Sequence, residues 1–524
     1  MSSARYSQYS RSFGIAFLTL SAAINAAPPS APRSQWVYPD ASGKLTYKTL
    51  EAGDRILDFS YAGYGGGGVA IPSLPVKATV APSGGDDTPA IQAAIDKVSK
   101  LPLANGVRGS VVLAKGRFHC RATLKIEADG VVLHGSGMEE GGTVIEMTGD
   151  PHLAISIAGQ NNIKADGPST TISDAYVPSG SNSLNVRDSA LFHVGDRVQI
   201  TRPVTPEWLH QMGMDTLVRN GKKQTWIAGD LKTERTIAAI NGKKLIFDVP
   251  LADSYDARYL GPNGASITRV EHTGQISQVG VENLRLVAPA RSVTLNDKHF
   301  NGLQMNNVVD GWLRNLRIFD TTEAIGIGKD ARRITVQQVD VTQSKSIVGN
   351  AKPADFSANG TQILFDRCSA TGDSVFYIAV GPGMQGPNVV LHCIFHGNGH
   401  VQPHQRWSTG LLIDSCQVPE GGIDLMNRGS MGSGHGWTMG WGVLWNNVAK
   451  SYIVQMPPGA ANWAIGNRGE QLLGKLPTFD PGPELPMLPQ GIIDSEGTPV
   501  APASLYLEQL KQRLGVQALR NIDY

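Results

Sequence analysis

A short pattern recurs through the C-terminal half of the chain and limits what this chain can fold into. Two apolar residues one position apart, a polar pair and two more inward positions appear in "VGVENLRL" (279–286), "GWLRNLRI" (311–318) and five later segments. A third short strand follows in several of the repeats. Three short strands per repeat predict an all-β fold, a right-handed parallel β-helix. The third inward position is taken in turn by Leu284, Leu316, Val339, Cys368, Cys393, Cys416 and Val448.

Composition agrees with this fold and excludes two kinds of partner. The chain of 524 residues holds 60 glycines and 31 prolines, and only 17% of its residues are charged. This balance favours short strands and tight turns over helix bundles. The 46 basic residues are offset by 45 acidic ones. No charge excess would attract nucleic acid or a membrane surface, so the partner has to be inferred from a local site.

The four cysteines test the register of the repeat. Cys368, Cys393 and Cys416 fall in the same slot of three consecutive repeats, and Cys120 lies elsewhere. In an exported protein such cysteines invite a disulfide interpretation. Stacked residues of adjacent coils, however, point their Cβ atoms the same way, which does not suit a disulfide. We therefore predict free, buried thiols.

The segments outside the repeats suggest the order of domains. Arg5 and Arg11 precede the apolar run "FGIAFLTLSAAINA" and small residues, the order of a secretory signal cut near Ala26. We expect a secreted or periplasmic protein with no membrane attachment after cleavage; an uncleaved anchor is the alternative. The expected organisation is a signal peptide at 1–26, an N-terminal extension at 27–75, a capping helix and first coils at 76–182, an inserted β-hairpin subdomain at 183–262, the main β-helix at 263–470, and a proline-rich tail with a short helix at 471–524.

A helix is predicted immediately before the first coils. Asp87 or Thr88 can cap it, and such a helix closes the open end of a solenoid core. Its apolar face would hold Ala90, Ile91, Ala94, Ile95 and Val98. A capping helix followed by these repeats, over about residues 76–470, resembles the pectate-lyase superfamily of secreted β-helix proteins. The resemblance implies an enzyme that cleaves acidic polysaccharides by β-elimination or hydrolyses glycosidic bonds.

The segment "GHVQPHQRWSTG" (399–410) carries the most unusual side-chain pattern. If it is extended, His400, Gln402, His404 and Arg406 leave the chain on one side, because strand side chains alternate between faces. Trp407 lies beside this row. The alternative interpretation is a coil that is stabilised by side-chain hydrogen bonds, since a proline interrupts the row.

Neighbouring repeats add more candidate groups to this row. Tyr377 and Asp424 lie at similar offsets from the repeat slot, which predicts that both face the same side. The loop "NRGSMGSGHGWTMGW" follows Asp424 and adds Arg428, His435, Trp437 and Trp441. Lys298 and His299 precede the strand at 311 and are candidates for the same groove. Guanidinium, imidazole and aromatic groups in one groove are typical of a polysaccharide site.

A β-elimination from a uronic acid requires three groups. The substrate carboxylate must be neutralised, for which Arg406 or Arg428 is suited. A base must remove the proton on C5, for which His404 or His435 is suited, and Tyr377 would protonate the leaving oxygen. We assign catalytic roles to His404, Arg406, His435, Tyr377 and Asp424, and substrate binding to His400, Gln402, Trp407, Arg428, Trp437, Trp441, Lys298 and His299.

Two other function classes stay open. The "GHG" at 434–436 is similar to a short motif of the polygalacturonase family, whose members are hydrolases of this architecture. The paired aspartates of that family are not apparent, and Asp424 with Asp373 is the best remaining carboxylate pair for hydrolysis. β-Helices also act as non-catalytic glycan-binding shafts, but pure binding does not need several proton-transfer groups.

No cofactor is expected. Zinc on His396, His400 and His404 would need a helix, which the neighbouring glycines and proline disfavour. Calcium is left open because acidic-sugar lyases use it, although the sequence has no dense carboxylate cluster to hold it. The expected partner is a polysaccharide. The sequence does not determine which polysaccharide it is, or the oligomeric state.

Overall fold

A computed structural model describes residues 32–474 and 487–524 and confirms the parallel β-helix. A sheet of 27 strands winds around an apolar core, with three columns of parallel strands. The first column contains Val76–Val80, Gly109–Leu113, Val131–Gly135, Ile276–Val287, Val308–Phe319, Arg332–Thr342, Thr361–Asp366, Gln385–Leu391, Ser408–Asp414, Val443–Trp445, Trp463–Ile465 and Ile492–Asp494.

The other two columns complete each coil. The second contains Gly116–Cys120, Thr143–Met147, the second halves of Ile276–Val287, Val308–Phe319 and Arg332–Thr342, and then Ser369–Thr371, Ile394–His396, Gln417–Leu425, Val448–Val454 and Arg468–Gln471. The third contains Leu124–Ile126, Leu153–Ala158, Asn301–Asn306, Ile325–Ile327, Ala354–Ala358, Phe376–Val380 and His400–Val401, and continues into the second half of Gln417–Leu425. A short strand, Met439–Gly440, pairs with the start of Ser408–Asp414.

The repeat slot is filled as predicted, with one correction. Leu284 aligns with Leu316, and Leu316 with Val339. The three slot cysteines and Cys120 are free and buried, as expected. The last slot residue is Asn447 and not Val448, because Val448 pairs with Gln417, the residue after Cys416. Asn447 Oδ1 accepts the backbone N–H of Cys416 at 2.8 Å, so a side-chain amide, and not a backbone carbonyl, satisfies this N–H at the end of the column.

One bend residue turns each coil from the first column to the second. This residue adopts a positive φ of 50° to 60° at Asn283, Asn315, Gln338, Arg367, His392, Ser415 and Asn446. These are mostly polar side chains, which tolerate the left-handed region better than β-branched ones. Buried Asp366 and Asp414 immediately precede the bend and accept hydrogen bonds from the Tyr524 hydroxyl (2.6 Å) and the Ser504 hydroxyl (2.8 Å). Both carboxylates therefore hold the C-terminal segment against the β-helix, which is a structural role.

The helix Thr88–Ser99 packs on the first coils, as predicted for a cap. Its buried residues are Thr88, Ile91, Ile95 and Val98. Asp87 stands at its N-cap, but its side chain makes no capping bond to the helix. Its carboxylate instead accepts the backbone N–H groups of Ser83 (2.8 Å) and His119 (3.0 Å). The cap is thereby tied to the second column of the first coil.

An antiparallel insertion leaves the helix, as predicted, but it is longer than 183–262. Its outermost pair joins Asn162–Lys164 to Glu271–Thr273. The six-stranded sheet runs in the order Ser169–Thr171, Ser266–Arg269, Arg197–Arg202, Leu231–Asn241, Lys244–Phe247 and Ser183–Asn185. Two-stranded pairs join Tyr176–Val177 to Tyr255–Asp256 and Val218–Arg219 to Lys222–Lys223. The added strands have only two to four residues, too few for alternation to be recognised in the sequence.

Short elements complete the chain. The strands Val37–Pro39 and Leu45–Tyr47 form a hairpin near the start of the described region, and Tyr64–Gly66 and Ala257–Tyr259 are 3-10 turns. The remaining helices are Pro206–Gln211, Leu505–Leu514 and Val516–Arg520. No helix in the described part of the chain is long and apolar enough to cross a membrane. The predicted signal segment at 1–26 and part of the proline-rich tail lie outside the described residues.

Candidate functional site

The third column brings His400, Gln402 and Asp424 together. His400–Val401 pairs with the second half of Gln417–Leu425, so that His400 lies opposite Gly422. Val401, Ile423 and Leu425 enter the core, and the alternating residues between them point away from it. Asp424 Oδ2 is 2.7 Å from His400 Nδ1 and accepts Gln402 Nε2 at 2.7 Å. His400 and Gln402 of the predicted row therefore share a face with Asp424, and all three side chains are buried. The strand ends at Val401, so His404 and Arg406 do not continue the row as an extended strand.

A second group lies at the end of the same strands. The His404 and His435 rings have centroids 4.8 Å apart. Arg428 Nη1 donates to the His404 carbonyl at 3.0 Å and lies 3.5 Å from His404 Nδ1. Arg406 Nη2 donates to the Ser433 hydroxyl at 2.7 Å, in the loop that carries His435. We call His404, His435, Arg406 and Arg428 the imidazole–guanidinium cluster.

Electrostatics keep both imidazoles of the cluster neutral. Burial, with the positive charges of Arg428 and Arg406, lowers the pKa of His404 to about 3. Burial and the same guanidiniums, with His404, lower the pKa of His435 to about 2. A buried cation is costly, and like charges nearby raise that cost further. At neutral pH the cluster therefore combines two proton acceptors with two fixed positive charges.

The backbone at Arg406 is strained. Arg406 and Trp407 have φ values of 57° and 55°, and no other two consecutive non-glycine residues in the described ranges have positive φ. Each such residue costs on the order of 1 kcal/mol, most of all where the side chain is bulky. The turn is held by hydrogen bonds from the Arg406 N–H to the His435 carbonyl (3.0 Å) and from the Trp407 N–H to the Trp437 carbonyl (2.9 Å). The fold therefore fixes Arg406 beside the histidine loop.

Several buried polar atoms in this region have no partner within the described residues. They are Gln402 Oε1, Asp424 Oδ1, Arg406 Nε and His435 Nδ1. A buried polar atom without a hydrogen bond costs about 1–3 kcal/mol, and native proteins contain few of them. Four such atoms in two neighbouring groups of residues indicate a site in which a ligand or water supplies the missing hydrogen bonds.

Tyr377 does not belong to the site, contrary to the sequence-based assignment. Its ring lies in the core of the β-helix, stacked on Phe395 with centroids 5.1 Å apart. Its hydroxyl donates to the Gly372 carbonyl (3.0 Å) and accepts the Gly399 N–H (3.1 Å). Burial raises the pKa of this phenol well above its usual range. A register shift between Phe376 and Ile378 moves Tyr377 inward.

Phe376 takes the outward position that was predicted for Tyr377. Its ring meets the His404 ring edge to face at 5.0 Å, and the Arg428 guanidinium lies 5.5 Å from its centroid. Sequence analysis missed Phe376 because an apolar residue in a strand is expected to face the core. The outward position of Phe376 depends on the register shift beside it, and the alternation of apolar and polar residues in the sequence gives no sign of that shift.

The three tryptophans assigned to sugar stacking pack the insertion against the helix instead. Trp407, Trp437 and Trp441 are each at most 2% exposed. The indole N–H groups of Trp407 and Trp441 donate to the two oxygens of Asp253, at 3.0 and 3.2 Å. The Trp437 N–H donates to the Met212 carbonyl at 3.1 Å. Trp437 and Trp441 border a cavity on the insertion side, but with at most 2% of their surface exposed none of the three offers a broad stacking platform to a sugar.

Lys298 and His299 lie apart from the site. They belong to the turn before Asn301–Asn306, where the His299 ring donates to the Asp297 carbonyl at 2.8 Å. No hydrogen bond, ion pair or ring contact among the described residues joins either side chain to the cluster. Asp373 likewise accepts the Asn398 N–H at 2.9 Å and makes no described contact with Asp424. Within residues 32–474 and 487–524, no group of three His, Cys, Asp or Glu side chains could hold a metal ion.

Comparison with known proteins identifies similar solved structures only. No family model and no curated protein matches the sequence. Similar structures include the Gp54 tailspike of Acinetobacter baumannii bacteriophage AP22 in complex with A. baumannii capsular saccharide, with 11% identity, 74% of this chain and 72% of that chain covered, and a TM-score of 0.29. A tailspike mutant of E. coli bacteriophage HK620 in complex with a pentasaccharide has 10% identity, 84% and 62% coverage, and a TM-score of 0.40. An iota-carrageenase complexed to iota-carrageenan fragments has 9% identity, 82% and 62% coverage, and a TM-score of 0.32.

Proposed function

We propose that this chain cleaves an acidic polysaccharide, and that the reaction is a β-elimination at the imidazole–guanidinium cluster. One observation carries this proposal: the rings of two neutral imidazoles have centroids 4.8 Å apart, and the guanidiniums of Arg406 and Arg428 lie next to them. Elimination from a uronate needs a neutral base and a cation for the substrate carboxylate. The cluster provides both.

The charges of the cluster also link substrate binding to base strength. Positive charge on Arg428 and Arg406 contributes to the low pKa of both imidazoles. A uronate carboxylate bound there would offset that charge, and the pKa of His404 and His435 would rise. A stronger base removes the C5 proton more readily. Binding of an acidic sugar thus favours the reaction, whereas a neutral sugar would leave the imidazoles weakly basic.

The proton donor differs from the one expected from the sequence. Tyr377 is in the core, so the leaving oxygen would take its proton from solvent, or from the imidazolium that forms when His404 or His435 removes the C5 proton. Arg406 is the better carboxylate ligand, since it is half-buried and its Nε has no partner in the described residues. Arg428 is 2% exposed and would act mainly by holding His404 and by its charge.

Hydrolysis is a second candidate, favoured by Asp424. This carboxylate is held by His400 and Gln402, and its Oδ1 is buried with no partner in the described residues. A hydrolase of this architecture would use a carboxylate as acid or base. Elimination is preferred because the cluster supplies both a neutral base and positive charge for a substrate carboxylate, a combination that a two-carboxylate hydrolysis does not need.

The test is to incubate the protein with a panel of uronate-containing polysaccharides and follow two signals. Elimination produces an unsaturated uronate, which absorbs in the ultraviolet, whereas hydrolysis produces only new reducing ends. The variants are His404→Gln and His435→Gln, and His193→Gln is the control because its side chain is 79% exposed on the insertion. Loss of a base should lower the rate about 10²–10⁴-fold, and the control should keep it.

Each outcome has a distinct meaning. Ultraviolet absorbance that both cluster variants reduce would support the proposal. Reducing ends without absorbance, abolished by Asp424→Asn, would favour hydrolysis. Binding of a glycan with neither signal would favour a non-catalytic shaft. Equal rates for the His435→Gln and His193→Gln variants would contradict the role of the cluster.

A further inference from the structure

A second cleft lies between the insertion and the β-helix, and the residues that line it are not those of the imidazole–guanidinium cluster. Its volume is about 460 Å³, and its walls include Arg197, Lys232, Lys329, Arg332 and Gln385. Pockets of roughly 300–1,000 Å³ are typical of small-ligand sites. We call it the basic cleft, because these side chains contribute four of its positive charges.

Arg332 is the most unusual group in this cleft. It is half-buried, yet it makes no hydrogen bond or ion pair within the described residues, and its Nε is buried without a partner. Burial and the neighbouring Arg197 and Arg333 lower the pKa of its guanidinium to about 10. Placing a cation in such surroundings costs free energy unless an anion joins it.

The acids of the cleft are already engaged with other groups. Glu234 is held by Arg197 (2.6 Å) and His272 (2.9 Å). Asp330 accepts the Asn161 amide at 3.0 Å, and Asp248 accepts the Thr236 N–H at 2.9 Å. Lys232 and Lys329 form no ion pair in the described part of the chain. The positive charge of Arg332 is therefore not matched by a direct partner from the protein.

The unpartnered buried atoms of the cleft are all donors. They are Arg332 Nε, Arg197 Nε and Gln385 Nε2. The orientation of the Gln385 amide is fixed, since its oxygen accepts the hydroxyls of Thr409 (3.0 Å) and Thr233 (3.3 Å). Three N–H groups without acceptors, beside unpaired cations, are suited to an oxyanion.

The cleft also adjoins the candidate site. Gly383 lines it and donates its N–H to the Arg406 carbonyl at 2.9 Å. Arg332 begins a first-column strand three coils before Ser408–Asp414, the strand that Arg406 precedes, which is roughly 14 Å along the axis at about 4.8 Å per coil. A glycan chain that occupies the cluster can therefore extend toward Arg332.

We infer that the basic cleft is an accessory subsite that binds a carboxylate or sulfate group of an acidic glycan. The inference rests on the proposed function in its choice of ligand, but not in its choice of site. Arg332 would form a two-point contact with the oxyanion, and Lys329 would add charge at the mouth of the cleft. Gln385 would donate one further hydrogen bond.

Equilibrium binding tests this subsite separately from cleavage. The probes are a uronate oligosaccharide, a sulfated oligosaccharide, the neutral oligosaccharide of the same linkage and inorganic sulfate. The variants are Arg332→Gln and Lys329→Gln. Arg333→Gln is the matched control, because Arg333 adjoins Arg332 in sequence but pairs with Asp310 at 2.6 Å and does not line the cleft.

Arg332→Gln should weaken binding of an acidic oligosaccharide about ten- to a hundredfold and leave the neutral one unchanged. The unliganded variant should be at least as resistant to thermal unfolding as the parent, since an uncompensated charge is removed. Lys329→Gln, at an exposed position, should give a smaller loss and serves if the first variant does not fold. The uronate and sulfate arms identify which oxyanion is preferred.

Unchanged affinity for both acidic probes in Arg332→Gln, or an equal loss in Arg333→Gln, would overturn the inference. Failure of the subsite and failure of the proposed function give different results. Cleavage that stops in His404→Gln while Arg332→Gln changes nothing refutes the subsite alone. Acidic-probe binding that depends on Arg332 without any cleavage keeps the subsite and refutes the elimination.

Discussion

Substitution of Asp355 by asparagine should stabilise the protein in a pH-dependent manner. Asp355 is completely buried in the third column. Its Oδ1 accepts the Gln343 amide at 3.1 Å, and its Oδ2 is buried with no partner within the described residues. Burial raises the pKa of this carboxyl from 3.8 to about 7, because a single hydrogen bond does not replace the water that an ionised carboxylate loses.

The magnitude follows from linkage between protonation and folding. The folded-state pKa is above the unfolded one, so the folded protein holds the proton between pH 3.8 and about 7, and stability falls as pH rises through this window. The folded and unfolded pKa values differ by about three, and each pKa unit corresponds to about 1.36 kcal/mol, so the ionised carboxylate lowers the free energy of unfolding by about 4 kcal/mol above pH 7. Asparagine keeps the acceptor for Gln343 without the charge. Asp355→Asn should therefore be more stable by a few kcal/mol at pH 8 and about equal to the parent at pH 4.

Denaturant unfolding at pH 4 and pH 8, measured for both proteins, checks this expectation. Asp166→Asn is the control, since Asp166 is exposed and forms no hydrogen bond in the described residues. The reasoning is refuted if Asp355→Asn is less stable than the parent at pH 8, or if the difference between the two is the same at both pH values. Either result would mean that the carboxylate has a compensating partner when ionised.

Three further predictions concern the site and its supports. The pKa values of His404 and His435 lie at about 3 and 2, so neither imidazole takes up a proton between pH 7 and pH 5. A pH profile of cleavage should therefore show no fall in kcat/KM from imidazole protonation over this range. Trp407→Phe removes an N–H donor to buried Asp253 and should cost about 1–3 kcal/mol of stability, while glycan affinity stays unchanged in a titration. Ser504→Ala removes the N-cap of Leu505–Leu514 and should lower the free energy of unfolding by about 1–2 kcal/mol, measured with denaturant. A substitution at exposed Leu514 is the control and should leave the free energy of unfolding unchanged.

The fold was predictable because the repeat occurs many times. Each repeat contains the same inward positions, so a chance match in one repeat has little weight. In the structure the predicted slot residues from Leu284 to Cys416 lie opposite one another on adjacent strands. The prediction is wrong where a polar residue enters the column. Asn447 replaces an apolar residue there because its side chain bonds the Cys416 N–H, and polarity alone gives no sign of that bond.

The site was predictable only where strand register determines it. His400, Gln402 and Asp424 share a face because their strands are paired and regular. Tyr377 was assigned wrongly because counting from the slot assumes a regular strand, and the register shift beside it exchanges its position with that of Phe376. The tryptophans were assigned wrongly because their partners Asp253 and Met212 come from an insertion more than 150 residues earlier. Local sequence patterns contain no information about such long-range contacts.

The insertion supports the proposed chemistry by fixing the loop that carries His435. The Trp226 N–H donates to the His435 carbonyl at 3.0 Å, and Arg219 donates to the Gly432 carbonyl at 2.8 Å. These bonds hold the His435 main chain, while the His404 N–H donates to the Val380 carbonyl of the β-helix at 3.1 Å. An imidazole pair with centroids 4.8 Å apart needs both supports, since either alone leaves one ring free to move. The same insertion forms one wall of the basic cleft, so a single element positions the candidate catalytic base and a subsite for the charged substrate.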